Sequence, residues 1–95
     1  MNLRQLQYFV TVVEEGSFTR AAQRLYVAQP SLSKQLAALE KELGGPLLER
    51  LPRGVRLTPS GRAFLPDARA TVLSAERARR SARMTHDLTG GVEGR

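Results

Sequence analysis

The chain has 95 residues, of which 41% are hydrophobic, and this length is typical of one domain with a modest core. Fifteen basic residues against nine acidic ones give a formal net charge of +6, which favours a polyanionic partner such as nucleic acid. The sequence has no cysteine, which excludes disulfides and thiolate metal sites, and no apolar run approaches the ~20 residues that span a bilayer.

The first predicted element is a helix from Asn2 to Glu15. Asn2 is a suitable N-cap for it, and Gly16 a suitable C-terminal stop. Apolar residues follow helical spacing at Leu3, Leu6, Val10 and Val13, and Phe9 flanks them. The same stretch lacks the apolar core of a signal peptide, so we expect a cytoplasmic protein.

A helix, a tight turn at Tyr26-Val27-Ala28 and a second helix are predicted next, with a helix-turn-helix unit at about residues 18–37. Val27 is expected to pack into the core between the two helices. Ser17 can cap the shorter helix, whose small residues Ala21 and Ala22 permit a steep helix crossing. The longer helix runs from Gln29 to Leu43 and ends at Gly44-Gly45-Pro46. Its apolar stripe comprises Leu32, Leu36, Leu39 and Leu43. The opposite face is short and polar, as in helices that enter the major groove of DNA.

The candidates for base readout lie at the start of that longer helix. They are Gln29, Pro30, Ser31, Ser33 and Lys34. Glutamine pairs bidentately with adenine, and a proline ring can pack on a thymine methyl group. The alternative is that these residues start a helix and form a solvated face, and Ser31 can instead bond its own first turn.

Residues 47–58 are predicted to form a small β-hairpin, or wing, around a Pro52-Arg53-Gly54 turn. Arg53 at its tip is the candidate for the minor groove or its phosphates. Phosphate contacts are predicted at Ser17, Thr19, Arg20 and Arg50. For Ser17 the helix cap is a sufficient alternative explanation.

A fourth helix is predicted from Thr58-Pro59 to about residue 88, followed by a flexible tail or hinge at 89–95. Such a helix is ~45 Å long, more than a core of this size covers. We therefore expect its seam to pair with another copy of the chain through Leu65, Ala68, Val72, Ala75 and Ala82. Its arginine-rich stretch at 77–83 is interpreted as a solvated face.

No catalytic, metal or cofactor site is predicted, and the chain is not expected to be an enzyme. His86 is the only histidine and has no carboxylate cluster or nucleophile motif around it. Two other interpretations remain: a protein-interaction module built on the long helix, and a basic amphipathic helix on an anionic membrane. The seam is too poor in bulky apolar residues for deep membrane insertion, so no membrane partner is expected.

The order of these elements resembles the N-terminal DNA-binding domain of LysR-type transcriptional regulators. The matching segments are NLRQLQYFVTVVEEGS, SFTRAAQRL, QPSLSKQLAALEKELG and LLERLPRGVRLTPSG. The chain differs from the usual pattern at Ala28, where a serine cap is common, and at Leu48, where phenylalanine is usual.

The resemblance implies a mainly α fold: a winged helix-turn-helix of three helices and a hairpin at 1–58, then a linker and dimerisation helix at 59–88. It implies a sequence-specific regulator that binds double-stranded DNA, at a pseudo-palindromic operator, as a homodimer or higher oligomer. A small-molecule effector is expected only for a C-terminal domain absent from this fragment.

Overall fold

The structure is a computed structural model that describes the backbone of residues 1–93 and the side chains of residues 1–88. Its elements in chain order are α1 (Leu3–Glu15), α2 (Phe18–Leu25), α3 (Gln29–Leu43), β1 (Leu48–Arg50), β2 (Val55–Leu57) and α4 (Pro59–Glu93). The two strands pair antiparallel, with Glu49 opposite Arg56. The predicted fold class, three helices and a wing followed by a long helix, is confirmed.

Side-chain caps fix the start of α1 and the turn between α1 and α2. The Asn2 side chain accepts from the Gln5 amide at 2.9 Å, and the Gln5 side chain accepts from the Asn2 amide at 3.2 Å, which completes a capping box. Gly16 ends α1 at a φ of 66°, and the Ser17 hydroxyl accepts from the Arg20 amide at 3.1 Å. The caps predicted at Asn2 and Ser17 are therefore confirmed.

The turn between α2 and α3 is built on a residue other than glycine. Tyr26 ends α2 at a φ of 57° and is 95% exposed, so its ring gains nothing from burial. The Val27 amide then donates to the Ala22 carbonyl at 3.0 Å, and the half-buried Val27 side chain packs against the core, as predicted. Ala28 provides no side-chain cap for α3.

The core lies where α1, α3 and the first half of α4 meet. Phe9 is fully buried, and its ring packs edge-on against Phe64 of α4 with 5.3 Å between centroids. Leu32, Leu36 and Leu39 of the predicted stripe are buried, whereas Leu43 is 42% exposed. Leu43, the fourth member of the stripe, is the last residue of α3 and is only partly covered.

The wing is attached to the helices by polar contacts of the backbone. The Glu40 carboxylate accepts from the amides of Leu47 at 2.7 Å and Leu48 at 3.1 Å, which links α3 to the start of β1. The Thr58 hydroxyl accepts from the Gly61 amide at 3.0 Å and so caps α4 as predicted. The wing is thereby held against the helix-turn-helix, as a hairpin of this size requires.

Helix α4 begins at Pro59 as predicted, but its packing and its C-terminal end differ from the prediction. Its first half belongs to the core, because Phe64, Leu65, Ala68 and Val72 pack there, so a boundary at residue 58 cuts through packed structure. The helix also continues to Glu93, five residues past the predicted end at 88. Gly90 and Gly91 lie in this extension, and glycine only weakens a helix without removing a backbone hydrogen bond. Residues 94–95 of the predicted tail lie outside the described residues.

Candidate nucleic-acid interface

Gln29 and Thr19 are brought together where α2 meets the start of α3. Gln29 is the first residue of α3 and is half-buried, whereas Thr19 is exposed in the first turn of α2. The Thr19 hydroxyl donates to Gln29 Oε1 at 3.0 Å. The two residues, predicted separately as a phosphate contact and a base reader, thus form one pair.

Arg50 and Ser33 form a second pair, between β1 and α3. The Arg50 guanidinium donates to the Ser33 hydroxyl oxygen. The same guanidinium lies 3.6 Å from the centroid of the Phe18 ring, within cation–π distance. Arg50 therefore joins the wing, α2 and α3 at one point. No local sequence pattern predicts the role of Phe18, because 32 positions separate it from Arg50.

The remaining residues at the start of α3 face solvent. Pro30, Ser31 and Lys34 are exposed. Within the described residues, Lys34 takes part in no ion pair, so its charge is available to a ligand. Short side chains with one free cation give this end of α3 a surface that a groove of nucleic acid can accommodate.

Arg53 lies in the turn of the wing and is exposed. The turn closes through a hydrogen bond from the Leu51 amide to the Gly54 carbonyl at 3.0 Å. Gly54 has a φ of 92°, and a Cβ there would lie 3.1 Å from the carbonyl oxygen of Gly16. The turn is thus packed against the α1–α2 turn, which limits the positions from which Arg53 can reach outward.

Two arginines of α2 are paired with acidic residues of α1. Arg20 donates to the Glu15 carbonyl at 2.5 Å, and Arg24 contacts the Glu14 carboxylate at 2.9 Å and the Glu15 carboxylate at 3.3 Å. The hydrogen bonds that Arg24 donates to Glu14, and next to Glu15, raise the pKa of Arg24 above its ordinary value. Arg20, predicted to contact phosphate, thus already has a partner within the chain.

The residues predicted to form the dimer seam differ in burial. Ala68 is 2% exposed within the chain's own core, so its assignment to an interface is wrong. Leu65, Val72 and Ala75 are half-buried, and Ala82 is exposed. Beside this seam, α1, α2 and α4 enclose an open groove of about 590 Å³, whose lining includes Val10, Leu25 and Leu73. Leu73 is 51% exposed.

Metal binding and membrane crossing can both be examined on the described residues. These residues contain no group of three or more histidines, aspartates or glutamates that could hold a metal ion. No described helix is long and apolar enough to cross a bilayer.

Three helices, a hairpin wing and a polar, cationic start to α3 define a winged helix-turn-helix domain. The model of the bacterial regulatory helix-turn-helix proteins of the lysR family matches residues 3–62. The chain belongs to this family.

Curated relatives agree with this assignment. The chain is 49% identical over 80 residues to the HTH-type transcriptional regulator TfdT of Cupriavidus pinatubonensis, a match that covers 84% of this chain and 35% of the relative. It is 48% identical over 87 residues to the regulator TcbR of a Pseudomonas species, covering 87% of this chain and 30% of the relative. The chain therefore spans about a third of the length of these relatives.

Solved structures of similar proteins include complexes with DNA. The DNA-binding domain of CbnR bound to DNA has a TM-score of 0.80 and 47% identity, with 90% of this chain and 98% of that chain covered. The BenM DNA-binding domain bound to catB site 1 DNA has a TM-score of 0.84 and 46% identity, with 90% and 96% covered.

Proposed function

We propose that this chain is the DNA-binding part of a transcription regulator and recognises a pseudo-palindromic operator as a dimer. The observation that carries the proposal is the surface at the start of α3, where short polar side chains and an unpaired Lys34 lie beside the wing. The similarity to CbnR and BenM domains in complex with DNA supports the same function. A regulator of this kind acts on the bacterial chromosome, so we place it in the cytoplasm.

In this proposal α3 enters the major groove and the wing lies at the adjacent minor groove. Gln29, Pro30, Ser31, Ser33 and Lys34 would face base edges, and Arg53 the minor groove. Ser17, Arg20 and Arg50 are the candidates for phosphate contacts, whereas Thr19 bonds Gln29. Arg20 and Arg50 would have to loosen their bonds to Glu15 and Ser33, or share them, to reach a phosphate.

The dimer is proposed from the second half of α4. Every described side chain from residue 76 to residue 88 is exposed, although this stretch includes Met84 at 62% and Leu88 at 84% exposure. A lone helix is only marginally stable in water, and its apolar side chains favour a partner. A second copy of α4, running antiparallel, would cover them and set the spacing of two half-sites.

Gln29→Ala is expected to lose discrimination at one base-pair position of each half-site, by about 1–3 kcal/mol if the contact is a good bidentate pair. The duplex for the test is selected by the wild-type chain from a randomised library. Affinities are then measured for all single-base variants of that duplex. Gln23→Ala, the same chemical change at an exposed position of α2, should leave the pattern unchanged. If Gln29→Ala weakens all variants equally, Gln29 contacts only the DNA backbone.

Arg53→Ala is expected to weaken binding most where the flanking DNA is rich in A·T pairs. A narrow A·T minor groove concentrates negative potential, and an arginine on an exposed turn is attracted to it. Each phosphate contact that is lost should also reduce the slope of log affinity against log salt by about 0.9. The measurement is a salt titration on two duplexes that differ only in the flank.

The matched control for Arg53 is Arg79→Ala, which removes the same charge from an exposed position on α4. Equal losses of affinity for the two duplexes would identify Arg53 as a simple phosphate contact. Unchanged binding on both would mean that the wing does not touch DNA.

A further inference from the structure

We propose that Thr19 is a positioning residue that sets the orientation of the Gln29 amide, and is not itself a phosphate contact. The inference rests on the proposed DNA-binding function and deepens it. Its basis is the hydrogen bond of 3.0 Å from the Thr19 hydroxyl to Gln29 Oε1. The bond joins α2 to the first residue of α3, so it spans the two helices of the helix-turn-helix.

The number of protons on threonine decides between the two roles. A hydroxyl has one proton to donate, and Thr19 donates it to Gln29. A phosphate oxygen is only an acceptor and offers nothing to the lone pairs that Thr19 retains. While the bond to Gln29 is made, Thr19 therefore cannot also bond a phosphate directly.

The orientation of the Gln29 amide matters because its two ends differ. With Oε1 held by Thr19, the NH₂ group lies on the other side of the amide carbon. Oε1 keeps one further lone pair, so the group can still donate and accept at a base edge, but in a single fixed order. Adenine requires one order, a donor for N7 and an acceptor for N6, and a reversed amide does not match it. Without Thr19 the Gln29 side chain loses its contact with α2, so it is held less firmly in this orientation and reads the base less strictly.

Ser33 shows the same arrangement one helical turn later. Its oxygen accepts from Arg50, so its own proton stays free for an acceptor on DNA. Two residues of α3 are thus each oriented from outside the helix, one by α2 and one by the wing. This repeated pattern supports a positioning role for Thr19.

The test is a double-mutant cycle between Thr19 and Gln29. It uses four duplexes, the selected one and the three that differ from it only at the position where Gln29→Ala loses discrimination. Thr19→Val removes the donor and keeps the shape, and it should reduce discrimination at that position by roughly threefold to tenfold, the value of one hydrogen bond. Other positions should be unaffected. Thr19→Ser keeps the hydroxyl and should retain the wild-type pattern. In the Gln29→Ala background, Thr19→Val should change nothing.

Two results would overturn the positioning role while leaving the proposed function intact. One is that Thr19→Val lowers the affinity for all four duplexes equally and does so in the Gln29→Ala background as well. Thr19 would then contact DNA independently of Gln29. The other is that Thr19→Val discriminates among the four duplexes as well as the wild type does. A Gln29→Ala variant that discriminates as well as the wild type would instead remove Gln29 from base readout, and Thr19 with it. Circular dichroism confirms that each variant is folded.

Discussion

Gly61→Ala is expected to lower the free energy of unfolding by about 3 kcal/mol, at the upper end of what overpacking typically costs. A Cβ at Gly61 would lie 2.0 Å from the carbonyl oxygen of Leu47 and 3.1 Å from Leu57 Cδ2. The Leu47 carbonyl cannot simply turn away, because it accepts from the Thr58 amide at 3.0 Å. Relief of the clash therefore requires α4 to move away from the wing.

Thermal unfolding followed by circular dichroism measures the effect. For a domain of this size, a loss of that magnitude corresponds to a drop in Tm of roughly 12–24 °C. Gly45→Ala is the matched control, because a Cβ there meets nothing within 4 Å and the loss of chain flexibility in the unfolded state is the same. Similar melting temperatures for the two variants would mean that the start of α4 adjusts to a methyl group without strain.

Local features of the chain were predicted well because their physics is local. The caps at Asn2, Ser17 and Thr58 involve partners three residues away, so the spacing in the sequence already contains the interaction. The turn at residues 26–28 and the start of α3 at Gln29 follow from the same kind of pattern. The candidate residues for base readout could therefore be placed together at the start of one helix.

Contacts between distant segments could not be predicted in this way. The pairs Thr19–Gln29, Ser33–Arg50 and Glu40–Leu47 depend on how the helices and the wing pack together. No periodicity in the sequence marks Phe18 as the surface on which Arg50 lies. The sequence therefore predicts which residues face a ligand, whereas the structure adds which of them are held in place.

The error at Ala68 has a specific origin. Small and apolar residues at heptad-like spacing indicate that a helix packs against something, but they do not distinguish the chain's own core from a second chain. Ala68 packs in the core that includes Phe9 and Leu39, and it has almost no exposed surface left. A dimer formed by α4 must therefore use the side chains next to that face and farther along the helix.

Leu73 is the best position at which to test the proposed dimer. It is 51% exposed and lines the open groove formed with α1 and α2, whereas Val72 packs against the chain's own core. A charge at Val72 would disturb the fold of a single chain. A charge at Leu73 stays hydrated in the single chain, because this position is already half in solvent. It would lose that hydration only when a second copy covers it, so the cost falls on dimerisation.

Leu73→Glu is expected to convert the dimer to a monomer in analytical ultracentrifugation, while circular dichroism shows that the chain is still folded. Binding to a duplex with two half-sites should then weaken by 10²–10⁴-fold on an order-of-magnitude estimate, because the second domain is no longer held close to its half-site. Binding to a duplex with one half-site should match the wild type, since the surface at the start of α3 is untouched. Ser74→Glu adds the same charge at an exposed neighbouring position outside the groove and should remain a dimer. A Leu73→Glu variant that stays dimeric would exclude this groove from the interface, and one that loses affinity equally for both duplexes would show that Leu73 acts on DNA binding within a single domain.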